Sequence, residues 1–182
     1  MRISQKLEKK INEQITEELW SANLYLSMSF YMASQGYTGF AAWLKAQSIE
    51  ETEHAHQFAE YLITRNGVAL VDKLDVVPQG WGTVEEVFEN VYKHECHVSE
   101  AVNELMTLAI EEKDYASQDF LFTFVREQVE EESTSEELLT RIKQAGPHGL
   151  FYLDKHLVRT INSYPENFTL DATHKKGDQY LN

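Results

Sequence analysis

The chain has 182 residues, 42% of them apolar, enough for one domain with a sizeable core and unlike a small disulfide scaffold. Lys and Arg total 16 against 30 Asp and Glu, and the net charge of -14 speaks against binding a phosphate backbone and favours metal cations as partners. The single cysteine, Cys96, excludes an intrachain disulfide and any CxxC zinc or redox motif; the charged start MRISQKLEKK and the lack of a run of about 18 apolar residues predict a cytoplasmic protein with no membrane partner.

Gly and Pro cluster at Gly36 and Gly39, at Gly67, from Pro78 to Gly82, from Gly146 to Gly149, and at Pro165 and Gly177. The intervals between them are too long for strands and predict an all-α chain with helices over about 4–35, 38–66, 83–112, 115–145 and 149–162. In the first, Leu7, Ile11, Ile15, Glu18, Ala22, Tyr25, Ser29 and Met32 recur in steps of three and four. The second carries Phe40, Leu44, Gln47, Glu51, His54, Phe58 and Tyr61 on one stripe. The third begins at a capping-box signature, Thr83 with Glu86, and its stripe runs Val84, Phe88, Val91, Glu95, Val98, Val102, Leu105. Lys113, Asp114 and Tyr115 interrupt that stripe, and the fourth helix follows with Phe120, Phe124, Glu127, Glu131, Leu138 and Ile142. Short loops make hairpins of the first and last pairs, while Val68 to Gly82 is long enough to cross a bundle, so the expected architecture is a four-helix bundle with one long crossover.

Every stripe holds a carboxylate where the core should be, at several kcal/mol per ion unless it is paired, protonated or metal-bound. Glu18 lies about 19 residues before the first turn and Glu51 about 14 after it; Glu95 lies about 19 before the second break and Glu131 about 17 after. At about 1.5 Å per residue these levels meet near mid-bundle. Glu51-x-x-His54 adds an imidazole on the same face. Such an oxygen-rich set with one nitrogen suits iron or manganese better than structural zinc, and Glu51 can bridge two metals. A di-iron carboxylate bundle ordinarily has a second Glu-x-x-His; here Glu127-Gln128-Val129-Glu130-Glu131 offers oxygen instead. Tyr25, two turns beyond Glu18, is a candidate to hydrogen-bond a ligand or donate an electron, whereas His94, His97, His148, His156 and His174 are expected at the surface.

Over about residues 4–162 the sequence resembles the bacterial non-haem ferritins. The resemblance is carried by Asn12-Glu13-Gln14 with Glu18-Leu19 and Tyr25, by Glu50-Glu51-x-x-His54, by Tyr92-Lys93-His94-Glu95, by Glu127-Gln128-x-Glu130-Glu131 and by Gly149-Leu150-Phe151-Tyr152-Leu153-Asp154-Lys155. It implies a ferritin-like domain over 1–162, with a short fifth helix from Gly149 to Asn162 and a tail over 163–182 of no assigned role. It also implies a homo-oligomeric 24-subunit cage that oxidises Fe2+ with O2, or H2O2, and stores ferric mineral. Glu18, Glu51 and His54 would hold the first iron, Glu51, Glu95 and Glu131 the second, with Gln128 beside the pair; a third iron position would use Glu50, Glu127, Glu130 and Glu131. Glu53, His56 and Glu60 are candidates for mineral nucleation, and Asp114 and Asp119 for uptake channels. Haem is not expected: the haem-binding relatives carry Met after the bridging Glu, where this chain has Thr52. The alternative is a di-iron oxidase or peroxidase of rubrerythrin type that stores little iron, against which the missing CxxC pair weighs.

Overall fold

The computed structural model describes residues 2–163, so nearly all of the tail over 163–182, with His174, lies outside the described residues. Four helices follow one another: α1 (Gln5–Ser34), α2 (Thr38–Thr64), α3 (Val84–Glu111) and α4 (Tyr115–Ser163), with no strand among the described residues. Ser4 starts α1 by accepting from Leu7 N at 3.1 Å, and the capping box at Thr83 is formed in both directions, so α1 and α3 both begin where the N-cap side chain takes up an orphan amide.

Three connections close alike. Gly36, Asn66 and Lys113 each take positive φ (87°, 56° and 55°), and the following amide returns to a carbonyl five residues back: Tyr37 to Met32, Gly67 to Leu62, Asp114 to Ala109. The crossover from α2 to α3 is stapled along α1. Asn12 donates to Val68 O at 2.9 Å and accepts from Leu70 N at 2.7 Å, Glu8 accepts from Val68 N, and Tyr31 donates to Gly82 O at 2.8 Å. At the far end of α2, Arg65 forks onto Asp114 at 3.0 and 2.7 Å, joining that helix to the α3–α4 turn.

Gly146 (φ 57°, ψ -178°) breaks the helical path inside α4 and Pro147 follows it, so two helical stretches meet at one non-helical residue. The interruption expected over 146–148 is thus narrower, because a proline with fixed φ can open the next stretch without the amide it lacks. Beyond the kink, Leu150, Leu153 and Leu157 pack on the core, and buried Asp154 accepts from Gly39 N at 2.7 Å and Phe40 N at 3.0 Å. It supplies the cap that Tyr37, at the start of α2, does not. A Cβ at Gly39 would collide with the Asp154 carbonyl.

The apolar core divides into two clusters. One contains Tyr25, Met28, Phe40, Leu44, Phe88, Val91 and Leu138; the other contains Ile11, Ile15, Phe58, Val98, Leu121 and Phe124. Between them every helix contributes polar side chains at one level: Glu18 from α1, Gln47, Glu51 and His54 from α2, Glu95 from α3, Gln128 from α4.

Candidate metal centre

The belt between the two cores is buried. Glu18 and Glu95 are 1% exposed, Glu51 4% and His54 7%. One ligand atom from each of Glu18, Glu51 and His54 falls within 4.8 Å of the others. The i, i+3 spacing on α2 sets His54 Nδ1 3.4 Å from Glu51 Oε2, while Nε2 faces Glu127 Oε2 at 3.7 Å. Gln14, one turn before Glu18, donates to its Oε1 at 2.8 Å. Glu18 Oε2 and Glu127 Oε2 are buried with no hydrogen-bond partner among the described residues.

Across the bundle Tyr25 Oη donates to Glu95 Oε1, and Gln128 Nε2 reaches Glu95 Oε2 at 3.4 Å. Gln47 Nε2 contacts Glu131 Oε2 at 3.2 Å and Glu50 Oε2 at 3.5 Å. Glu50, Glu127 and Glu131 are half-buried, and Glu130 is the exposed member of the set.

Glu18, Glu50, Glu51, Glu95 and Glu131 hold their protons above the usual carboxylate range. Burial, then the neighbouring Glu51 charge, pushes Glu18 well up. Burial raises Glu51 to about 8, with Glu95, Glu131 and Glu50 adding repulsion; Glu131 rises to about 8 from burial and the charges of Glu50 and Glu95. Burial also raises Glu95 and Glu50, and it raises the Tyr25 phenol well above 10. Without a cation this cluster of like charges is an electrostatic liability; with one, each proton can be exchanged for a metal bond. The orphaned Glu18 oxygen, hard oxygen donors and one imidazole fit iron.

The sequence profile of the Ferritin-like domain matches residues 8–145. The chain belongs to the ferritin family. It is 57% identical over 155 residues to a bacterial non-heme ferritin of Bacteroides fragilis, covering 85% of this chain and 98% of that protein. A bacterial non-heme ferritin of Campylobacter jejuni is 33% identical over 157 residues, covering 85% and 94%. Among solved structures, an open pore ferritin of the archaeon Archaeoglobus fulgidus superposes with a TM-score of 0.83 at 37% identity, covering 85% of this chain and 96% of that one.

Within this ferritin chain one expectation needs correcting. His94 is not at the surface: it is 8% exposed, bonded to Ser21 Oγ at 2.8 Å, and burial beside His97 lowers its pKa to about 4. It lies one step from the Glu95 stripe, and the serine that satisfies it is on another helix. His97, His148 and His156 are exposed, as are Glu53, His56, Glu60 and Asp119, whereas Asp114 is engaged by Arg65. Gln47, the link to Glu131, was readable only as a polar member of a stripe, since its partner lies 84 residues away.

Proposed function

We propose that this ferritin oxidises Fe2+ to Fe3+ with O2 at a two-iron site inside the subunit and deposits ferric oxyhydroxide in a homo-oligomeric 24-subunit cage in the cytoplasm. The buried Glu18, Glu51 and His54 group, with its unsatisfied carboxylate oxygen, carries the reading. Iron is substrate and cargo here, and the balance is 4 Fe2+ + O2 + 6 H2O giving 4 FeO(OH) + 8 H+.

Glu18, Glu51 and His54 bind the first Fe2+; Glu51, Glu95 and Glu131 bind the second, with Gln128 beside it. Each arriving ion displaces protons from carboxyls that burial keeps protonated, so binding and charge neutralisation are one step. Gln14 and Tyr25 aim Glu18 and Glu95, and Gln47 aims Glu131, which supports fixed placement of ions whose product must leave. Glu50, Glu127, Glu130 and Glu131, on the wetter side, form a third iron position on the way out. Haem has no part in this reading.

Residues 1–162 act as one ferritin-like domain, and the stretch after Gly146 serves as its short fifth helix, supported by the kink and by Asp154 docking on the start of α2. Large apolar side chains that one chain leaves exposed, among them Phe30, Ile63, Val71 and Val76, supply subunit contacts. The named relatives, matched over nearly their whole lengths, do not favour the rubrerythrin-type alternative.

Stopped-flow aerobic oxidation of Fe2+ tests the site. His54→Ala and Glu51→Ala should each abolish the fast phase, by a factor on the order of 10 to 100 for loss of a metal-site partner, while gel filtration still shows the large assembly. Unchanged fast kinetics in both variants would overturn the assignment.

A further inference from the structure

With Glu18 and Glu95 each 1% exposed, a reactant reaches the carboxylate belt only by passing between helices. On the α2–α4 side the half-buried Glu50, Glu127 and Glu131 make a charged passage suited to cations. The α3–α4 side differs. There a cavity of about 350 Å³ lies between the two helices, walled by Val102, Val125 and Val129. Val129, 68% exposed, stands where it opens to solvent. Gln128 and Ser99, 7% and 8% exposed, line its inner end. Gln128 Nε2 is 3.4 Å from Glu95 Oε2, so one side chain separates the cavity from a site carboxylate. That amide is loosely held: its contacts to Glu95 O, Glu95 Oε2 and Ser99 Oγ are 3.4, 3.4 and 3.5 Å, all long for an N–H···O bond. Helices that merely splay would leave a groove, but not one that ends on the α4 amide touching Glu95.

We propose that the α3–α4 cavity is the path by which O2 reaches the iron pair, with the Gln128 side chain swinging aside to admit it, so that dioxygen and iron use different sides of the subunit. This rests on the ferroxidase reading and adds a route to it. The lining decides which reactant fits. Among the described residues its only charged members, Glu132 and Glu136, lie about one and two turns beyond Gln128 on α4, which leaves the inner end with an amide, a hydroxyl and methyl groups. An Fe2+ ion would shed water there with no anionic ligand in exchange, and the desolvation cost bars it. O2 is uncharged and apolar, gains by leaving water for a valine-walled space, and is small against a cavity of this size. Because the path is separate, O2 can arrive at a site whose two ions are already in place and whose charged passage they occupy.

The full-length protein is loaded anaerobically with two Fe2+ per chain and mixed by stopped flow with buffers of graded O2 concentration, so that iron entry plays no part. The second-order rate constant for O2 is read from the concentration dependence, and Fe2+ affinity is measured separately by anaerobic titration. Val125→Trp fills the cavity from its half-buried wall and Val129→Trp from its exposed mouth. Each should lower the O2 constant several-fold and leave Fe2+ affinity unchanged. Thr107→Trp, exposed on α3 outside the cavity, should match the wild type in both. Val129 contributes little to the core, so its replacement keeps the test open if Val125→Trp does not fold. An O2 constant that stays at the wild-type value in a folded filling variant would overturn the route and leave the ferroxidase reading intact. Weaker Fe2+ binding in those variants would overturn it as well, by making the cavity a path for cations. A wild type that fails to oxidise Fe2+ would overturn the ferroxidase reading and the route with it.

Discussion

At the scale of single residues, the metal-free site and the loaded site should respond oppositely to pH. Folding raises Glu51 and Glu131 from an ordinary value near 4.5 to about 8. Between those values the folded chain binds more protons than the unfolded one, so the stability of the iron-free protein should fall as pH rises from about 4.5 to 8. Calorimetry across that range should show the melting temperature declining, with a flatter decline in Glu51→Gln, which cannot ionise; a wild-type temperature that rose through this window would contradict the buried-carboxyl picture. Anaerobic binding of Fe2+ at pH 7 should release protons to an indicator dye, and no release would mean that the carboxyls were already ionised. The carboxylates themselves were legible because a charge on an apolar stripe costs too much to be accidental, and each of the four stripes carried at least one. His94 was not, because satisfaction by a serine on another helix leaves no periodic trace.

Among the elements, two caps of different reach give different expectations. Thr83 and Glu86 are three residues apart and their box could be read directly from the sequence; Thr83→Ala should cost about 0.5–2 kcal/mol of stability by denaturant titration. Asp154 is 115 residues from Gly39 in sequence, so only the folded chain brings its carboxylate to the start of α2. Asp154→Ala should cost about 1–3 kcal/mol, since it leaves two buried amides unpaired and loosens the stretch beyond Gly146. Faster hydrogen exchange should appear at the Gly39 and Phe40 amides; an unchanged rate there would mean that the cap contributes nothing. The helix limits were legible to within a residue or two at α1 and α3, where Ser4 and Thr83 mark the starts. The kink was expected as a gap, because Gly146, Pro147 and Gly149 punctuate the sequence alike and only the backbone distinguishes Gly146.

For the whole molecule, the two apolar cores act as rigid ends that hold a polar belt at one level, and the crossover fastened to α1 fixes the order of the helices around it. The bundle was readable from two hairpins and one long connection, but which exposed apolar residues meet another subunit was not, because a surface residue carries no period that separates contact from solvent. A net charge of -14 and carboxylates on the exposed face of α2, Glu53 and Glu60 among them, suit a shell that concentrates cations. Storage is the central claim, and it is tested most directly by iron retained per chain after stepwise aerobic loading and gel filtration. Iron far in excess of what the side-chain site can bind, co-eluting with a very large particle, is the expected result. Retention of no more than the site's own few ions, on a small species, would leave a di-iron oxidase and contradict a mineral-storing cage.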